Sequence, residues 1–401
     1  MVSQRSRNHG WFDRRLDIVQ EPVSAKGMRQ FRIAFYISLV ASFFIDIVWM
    51  THDDYTLFYV YYWDKFLQGT IPPDSAYPIG FLVFFSWIFK INYWLPKVVF
   101  LGFHVATSYQ VYRLLSKRGE FGKREVLTCA YILFNPALCG VCVYRGLFDT
   151  VIEFLVLNFV LLLELKKGNP ILKDAIALVM IGLITSIKFV GLVLLIPYFI
   201  SERKTMLRRL VLIAGGVGIV LAGIMLAHVQ ITTLIQPFIS QATRTMLTIF
   251  DGLREVLHLD ITNPPFVAAF VGFYSPIAPI VTIIALVASD IFFYFKRVSF
   301  RTRVLLNVMI FLTFFNVSNL QFILWYLPLF SLAYNDYMPS KRALVKKMAI
   351  HQGFMVLLSF LYPFSQFLAV FFVYDIFKNE MRLNAARPAV VIASAGERVP
   401  E

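Results

Sequence analysis

Residues 173–203 read KDAIALVMIGLITSIKFVGLVLLIPYFISER, an apolar stretch with basic residues at both ends and one lysine, Lys188, at its middle. One membrane crossing takes about 20 apolar residues and two take roughly 40, which is more than this stretch offers. A single crossing would put one basic end on the wrong side, because Lys and Arg near helix ends stay on the cytoplasmic side. We therefore predict a short, re-entrant helical hairpin that enters from the cytoplasm, turns at Lys188 and leaves again.

The composition of the whole chain has the same apolar character. Of its 401 residues, 58% are apolar and 15% are charged, whereas a soluble domain has about 45–50% apolar and about 25% charged residues. The 41 phenylalanines suit lipid-facing helices, and 3 cysteines are too few for a disulfide framework. The composition excludes a cytosolic globular enzyme, a disordered chain and a fibrous repeat. It predicts an all-α polytopic membrane protein.

The basic residues predict which side of a membrane each loop faces. The chain has 38 Lys and Arg against 24 Asp and Glu, for a net charge of +14. The basic residues fall in short blocks that are typical of cytoplasmic loops, at 5–32, 113–124, 166–173, 203–209, 296–303 and 341–347. The loops that are poor in basic residues are predicted to lie outside, at 51–76, 145–149 and 231–265.

The apolar segments between these loops are predicted to be membrane spans, at 32–50, 125–144, 150–166, 210–229, 266–290, 304–318, 320–337 and 351–375. With the remaining segments and the hairpin, we expect about 9–11 membrane helices. The chain then divides into a cytoplasmic tail, a transmembrane domain and a polar C-terminal tail, at 1–31, 32–375 and 376–401.

One further interval, 77–112, has the wrong length for a single crossing. It is interrupted by three polar residues, Lys90, Asn92 and Lys97. We therefore predict a short membrane-entering piece at 78–90, followed by a span from about 97 to 113.

The first outer loop begins THDDYTLFYVYYWDKFLQG (51–69), with His52, Asp53 and Asp54 directly after the first span. The aromatic residues that follow are typical of an amphipathic helix lying in the membrane interface. A carboxylate at this surface can act as a general base on a hydroxyl group. The simpler alternative is that Asp53 caps the N-terminus of the interfacial helix.

Ionisable side chains within apolar spans are costly and therefore indicate function. Four of them, Asp46, Arg145, Asp149 and Lys188, lie within the spans or at their outer ends. We expect Arg145, Asp149 and Lys188 to meet the first-loop carboxylates near the outer membrane face. Asp46 lies two turns before Asp54, so both can face the same side. Lys188 and Arg145 could hold a phosphate group there, as Lys and Arg do in other proteins. The combination predicts sugar transfer from a lipid-linked phosphate donor.

Several motifs follow one another in the order found in one superfamily of membrane enzymes. They are Asp53 and Asp54; Gly69 with Pro72 and Pro73; Tyr77-Pro78; FNP at 134–136 before RGLFD at 145–149; GLITSIKFVGLVLLIPYFISERK at 182–204; and QFILWYLPLF at 321–330. Across residues 32–340, the chain resembles the integral-membrane glycosyltransferases of the C superfamily (GT-C). The nearest branches are mannosyltransferases that depend on polyprenyl- or dolichyl-phosphate-mannose.

The resemblance implies an inverting transfer of a hexose, mannose in those branches, to an extracytoplasmic or lumenal lipid, glycan or protein. It implies that Asp54 is the base and Asp53 its partner, that Lys188 holds the donor phosphate and that Asp149 orients the acceptor or the sugar. The other expected substrate-binding residues are His52, Arg145 and Gln321. No bound metal is required, with a divalent metal as an alternative. The partners would be the donor, the acceptor and membrane lipids, without nucleic acid, in a plasma membrane or the endoplasmic reticulum.

Two other classes of protein share this pattern of spans. A transporter or lipid flippase would use the same polar cavity, but we find no repeated halves and no second interrupted segment after residue 230, which such proteins often have. A non-catalytic subunit of a glycan complex would tolerate loss of Asp53 and Asp54. His104 and Glu153 are predicted to be packing or inter-helix hydrogen-bonding residues, because nothing nearby in sequence completes a site.

Overall fold

The computed structural model describes residues 29–30, 32–33, 36–37, 54–71, 77–116, 122–133, 135, 148–165, 168–201, 205–226, 231–243, 248, 250–251, 262–316, 320–360 and 364–396. Within these ranges the chain forms fourteen α-helices and no strand. The predicted all-α fold is therefore confirmed for this part of the chain.

The helices follow the apolar segments of the sequence. In chain order they are α1 (Tyr61–Leu67), α2 (Ile79–Ile91), α3 (Leu95–Ser116), α4 (Lys123–Leu133), α5 (Asp149–Glu164), α6 (Pro170–Ile187), α7 (Gly191–Ile200), α8 (Met206–Leu226), α9 (Ile231–Thr243), α10 (Pro265–Phe295), α11 (Phe300–Phe314), α12 (Leu327–Tyr337), α13 (Lys341–Phe360) and α14 (Ala369–Gly396). A π-helical segment, Asp54–Val60, leads into α1, and two 3₁₀ segments occupy Leu320–Trp325 and Phe364–Leu368.

Helices α6 and α7 form the predicted hairpin, and the chain turns between them at Lys188. The Asn169 side chain accepts a hydrogen bond from the backbone N–H of Ile171 at 2.9 Å, and Pro170 follows it at the first helical position. Both features favour a helix start, so α6 begins before Lys173. The expectation of two short arms is wrong, because α6 has 18 residues and α7 only 10.

Two glycines allow the hairpin tip to pack closely. A Cβ atom on Gly191 would come within 2.2 Å of the Thr185 hydroxyl, so the returning arm touches the outgoing one at the turn. A Cβ atom on Gly80, near the start of α2, would come within 2.4 Å of the Ser186 carbonyl oxygen. Because real Cβ atoms do not approach so closely, larger residues at either position would force the tip to move.

The predicted interruption within 77–112 is confirmed. Helices α2 and α3 meet at a bend of 116°. Asn92 has an extended backbone and ends α2, while its side chain accepts a hydrogen bond from the Trp94 N–H at 2.8 Å. A side chain that forms a hydrogen bond with the backbone of a residue close by in the sequence favours a turn over a continued helix. Lys97 then lies inside α3 and is 2% exposed.

In the described part of the chain, two helices are long and apolar enough to cross a membrane, namely α6 and α10, and the bent pair α2–α3 makes a third if it counts as one span. The larger number that we expected is not reached, because several predicted spans form shorter pieces. Segment 320–337, for example, is a 3₁₀ turn followed by the 11-residue helix α12. Most of the predicted span at 32–50 lies outside the described residues.

The C-terminal third also differs from the expectation. The predicted single span at 351–375 is divided among α13, a 3₁₀ turn and α14. The interval between the first two contains Pro363, which has no N–H to donate to a helix. The basic block at 341–347 forms the first turns of α13 and is not a loop, and α14 continues across the predicted boundary at 375.

Helix α11 is the centre of the packed fold, and its side chains are buried around nearly the whole circumference. Its polar side chains are paired with neighbouring helices. Arg303 Nε donates to Asp290 of α10 at 3.0 Å, Asn307 Nδ2 donates to the same carboxylate at 2.7 Å, and Arg301 pairs with Glu164 of α5. Buried charges need such partners, because leaving one unpaired is strongly destabilising. These pairs fix α11 between α5 and α10.

Candidate functional site

A buried ion pair lies at the tip of the hairpin. The Lys188 ammonium donates a hydrogen bond to Asp149 Oδ1 at 2.7 Å, and the two side chains are 6% and 0% exposed. The indole N–H of Trp325, also fully buried, donates to the same oxygen at 2.7 Å. The three residues come from α6–α7, from α5 and from the 3₁₀ segment before α12. Elements far apart in the sequence therefore meet at one carboxylate.

Three aromatic rings also lie close to the Lys188 ammonium. Its Nζ atom lies 4.8 Å from the ring centroid of Phe148, 4.4 Å from that of Phe322 and 5.1 Å from that of Trp325. The negative face of an aromatic ring attracts a cation at these distances, and the attraction is stronger where water is excluded. The rings thus help to hold the Lys188 ammonium in a buried position.

Asp149 is the first residue of α5, where the helix dipole favours a negative charge. Its side chain does not cap the helix, because Oδ1 is directed to Lys188 and Trp325. Its second oxygen, Oδ2, is buried and has no hydrogen-bond partner among the described residues. A buried carboxylate oxygen without a donor is costly. The cluster can therefore accept one more donor at Oδ2.

The turn that carries Lys188 is anchored on the core. Lys188 has an extended backbone at the end of α6, and its N–H donates to the Ile184 carbonyl at 2.7 Å. The next residue, Phe189, packs on Phe311 and Phe315 at ring distances of 5.7 and 5.3 Å. Because α11 is buried on nearly all sides, this contact gives the lysine a rigid support.

The 3₁₀ segment that carries Phe322 and Trp325 is held from behind by a hydrogen-bond chain. His351 of α13 is fully buried, and its Nε2 and Nδ1 atoms lie 2.9 Å from the Tyr326 hydroxyl and 2.7 Å from the Tyr131 hydroxyl. The imidazole ring also stacks on Phe330 at 4.0 Å. The chain connects α13 and α4 to the residue next to Trp325.

The first-loop segment forms the helix that we predicted, as a π-helical segment that continues into α1. One face of it, with Tyr55, Tyr59, Tyr62 and Trp63, is buried. The Tyr59 ring lies 5.6 Å from the ring of Phe148, the residue directly before Asp149. The segment that begins at Asp54 therefore packs against the wall of the lysine cage.

The structure brings together two of the predicted site residues, Lys188 and Asp149. Gln321 is 9% exposed and lies on the same 3₁₀ segment as Trp325. Asp54 is the first residue of the π-helical segment, and its side chain is not described. The remaining predicted residues lie outside the described part of the chain, namely Asp46, His52, Asp53 and Arg145. Their roles stay predictions.

His104 and Glu153 confirm their predicted structural role. His104 Nδ1 of α3 lies 3.0 Å from Glu153 Oε2 of α5, and both side chains are buried. Within the described ranges, no three His, Cys, Asp or Glu residues are grouped as a metal site would require.

Sequence reasoning missed the three cage aromatics, Phe148, Phe322 and Trp325. Two of them belong to the quoted motif at 321–330, and the third belongs to RGLFD, so the segments were identified but the roles of these rings were not. The close contact at Gly80 was missed as well, although the glycine directly follows Tyr77-Pro78-Ile79. Aromatic residues are so frequent in this chain that no single ring stands out.

Comparisons with protein-family models, with curated proteins and with solved structures found no match to this chain. The residues of the site, their geometry and the order of the sequence motifs therefore carry the functional argument.

Proposed function

We propose that this chain is a polytopic membrane glycosyltransferase. It would transfer a hexose, mannose by its resemblance to the GT-C superfamily, from a polyprenyl- or dolichyl-phosphate donor to a lipid, glycan or protein on the extracytoplasmic or lumenal side. The observation that carries the proposal is the buried Lys188–Asp149 pair within its aromatic cage, at the tip of the hairpin. This is the arrangement in which a cation would be kept charged for an anionic substrate away from bulk water.

The chemistry of the lysine supports a phosphate ligand. An ammonium group is a compact cation that can donate to phosphate oxygens, and Asp149 Oδ1 orients it here. A donor phosphate would accept a hydrogen bond from the ammonium, and Asp149 would serve as a positioning residue for it. Trp325 donates to the same carboxylate oxygen and limits its movement. This revises the role expected of Asp149, which was to orient the acceptor or the sugar.

The transfer step uses a first-loop carboxylate as the general base, with Asp54 in that role and Asp53 as its partner. The base takes the proton of the acceptor hydroxyl, and the hydroxyl oxygen forms a bond to the anomeric carbon of the sugar. The bond from that carbon to the phosphate oxygen breaks, and the lipid phosphate leaves with the electron pair. Attack from the opposite face inverts the anomeric centre. The packing of Tyr59 on Phe148 supports a base close to the lysine cage.

The membrane placement of this enzyme follows the charge pattern. We propose about 9–11 membrane helices, counting shorter and bent apolar helices as spans or re-entrant pieces. The helix of the first loop would lie in the outer interface, with its exposed rings, such as Phe58 and Tyr61, toward the lipid. The protein would reside in a plasma membrane or in the endoplasmic reticulum membrane.

The topology can be tested by labelling single cysteines in a background that lacks Cys129, Cys139 and Cys142. A cysteine at Gly69 should react with an impermeant reagent from the outside, and one at Gly122 only after permeabilisation. The reverse pattern would place the site on the cytoplasmic side and overturn the proposed orientation.

The activity can be tested with the purified full-length chain, radiolabelled polyprenyl-phosphate-mannose and a crude lipid extract. We expect a labelled product that is retained after the donor is hydrolysed with mild acid. Absence of transfer to any acceptor, together with saturable solute uptake into vesicles that contain the protein, would instead identify a transporter.

A further inference from the structure

A polar groove lies at the end of α12 that is remote from the hairpin tip. Helix α12 begins two residues after Trp325 and has 11 residues, which corresponds to about 16 Å of helix. The groove has a volume of about 450 Å³ and lies between the α12–α13 turn and α14. Its lining residues are Tyr337, Met338, Pro339, Lys347, Asp375, Asn379, Arg382 and Leu383.

The groove carries an excess of positive charge. Its one lining carboxylate, Asp375, is neutralised in place: Lys347 Nζ donates to it at 2.7 Å, and the hydroxyl of the fully buried Tyr334 donates at 2.6 Å. Arg382 is exposed and makes no ion pair or hydrogen bond with any residue that the structure describes. The guanidinium of Arg382 is therefore available to a ligand, beside a lysine that is already oriented.

The helix that forms one wall strengthens this field. Residues 341–347, the first turns of α13, hold four basic side chains and no acidic one. The charge pattern of the sequence predicts that this block lies on the cytoplasmic side, where anionic lipids attract basic segments near the membrane surface. A guanidinium presents its N–H groups as a planar fork that matches two phosphate oxygens, and an ammonium adds a point charge.

We propose that this groove binds the phosphate of an anionic phospholipid headgroup, between Arg382 and the Lys347–Asp375 pair. The glycerol side of the headgroup would lie along Met338 and Leu383, and the acyl chains would remain in the membrane. The site is separate from the cluster at Lys188, and the inference does not rest on the transferase activity.

The test is a calorimetric titration of the purified full-length chain, in an uncharged detergent, with dihexanoyl phosphatidylglycerol. We expect saturable binding that Arg382→Gln weakens about tenfold or more, as is usual for loss of a charge-assisted contact. Lys378→Gln is the matched control: Lys378 is exposed on α14, one turn from Arg382, and its ammonium lies over the Tyr374 ring at 5.8 Å, outside the groove lining. The Lys378→Gln substitution removes the same charge and should change the dissociation constant for the lipid less than about twofold.

Two further arms separate the alternatives. Inorganic phosphate should bind much more weakly than the lipid; equal binding with the same dependence on Arg382 would overturn the lipid assignment in favour of a soluble phosphate. The double variant Lys347→Gln with Asp375→Asn removes the lysine charge and does not leave an unpaired carboxylate. It should also weaken binding of the lipid. Equal weakening by Lys378→Gln and Arg382→Gln, or no binding by the unaltered chain, would overturn the groove as a site.

Discussion

The two ends of the α6–α7 hairpin each hold a carboxylate that binds cationic side chains, and they differ in how completely it is satisfied. At the open end, Asp174 accepts Arg209 at Oδ1, from Nε at 3.0 Å and Nη2 at 2.9 Å, and Arg208 Nε at Oδ2 at 2.7 Å. At the tip, Asp149 accepts Lys188 and Trp325 at Oδ1, and Oδ2 has no donor among the described residues.

This difference distinguishes a structural ion-pair cluster from a candidate ligand-binding site. The two arginines use both oxygens of Asp174, and Arg209 also donates to the Tyr198 carbonyl at 2.5 Å, so the group closes the hairpin against α8 with no oxygen left over. At the tip, Asp149 Oδ2 has no donor among the described residues, and three aromatic rings lie close to the Lys188 ammonium. A fully paired cluster stabilises, whereas an incompletely satisfied buried cluster is a candidate for binding a ligand.

The largest expected effect concerns Asp54, the residue proposed to be the general base. Asp54→Asn removes the proton acceptor and keeps the size of the side chain, so the rate of transfer should fall by roughly 10²–10⁴-fold. Donor affinity should change little, because Lys188, and not Asp54, is the residue proposed to hold the phosphate. Single-turnover kinetics and donor binding, measured on one preparation, separate the two quantities.

Asp53→Asn is the internal control for that prediction. If it is inactive while Asp54→Asn is active, the two carboxylates exchange roles and the mechanism stands. Full activity of both single variants and of the double variant would rule out a first-loop base.

At the open end, Asp174→Asn should lower stability without altering the chemistry. It leaves two guanidinium groups without their carboxylate, which costs about 3 kcal/mol, the low end for a buried pair, because Arg208 is 30% exposed. Chemical denaturation in detergent measures this loss. Asp64→Asn is the control, because the exposed Asp64 carboxylate only accepts a hydrogen bond from Gln68 Nε2 at 2.7 Å. Its free energy of unfolding should stay within about 0.5 kcal/mol of that of the unaltered chain. A specific loss of transfer rate in folded Asp174→Asn would erase the distinction between the two ends.

At the tip, Lys188→Met keeps the apolar stem and removes the charge. Loss of a charge-assisted contact is worth about 1.5–3 kcal/mol, so donor affinity should fall roughly tenfold to a hundredfold. Lys90→Met is the control, since Lys90 also lies over a ring, that of Trp87 at 5.1 Å, but is exposed.

Because Lys188→Met leaves Asp149 without its cation, the variant Lys188→Met with Asp149→Asn should recover stability but not donor affinity. If the double variant instead binds the donor normally and only its stability is lower, the Lys188–Asp149 pair would be a structural ion pair, like that of Asp174 with its two arginines.

The smallest effect is expected behind the tip. His351→Phe leaves the buried Tyr326 hydroxyl without its ring nitrogen and removes one hydrogen bond of the half-buried Tyr131 hydroxyl, which costs about 1–3 kcal/mol. Replacing Tyr326 by Phe in the same chain should restore part of that stability, because an apolar group then replaces the buried hydroxyl that lost its partner. Thermal unfolding measures both. An unchanged melting temperature of His351→Phe would mean that the hydrogen-bond chain does not support the 3₁₀ segment.

The sequence alone determined the local elements of this protein. The all-α fold, the hairpin that turns at Lys188, the break between 78–90 and 97–113 and the helix of the first loop all follow from apolar length, charge spacing and aromatic pattern. These signals are local, because a helix is set largely by the residues within a few turns of it. The start of α6 depends in addition on the Asn169 cap, which places it before Lys173.

Which side chains meet at the site depends on the packing of distant helices. Asp149 lies 39 residues from Lys188 and 176 from Trp325, and no pattern in the sequence singles out that tryptophan among so many aromatic residues. The contact exists because Gly80 and Gly191 let the hairpin tip approach α2 and fold back on itself. Packing at this distance depends on the shapes of several helices at once, and a single sequence does not encode those shapes locally.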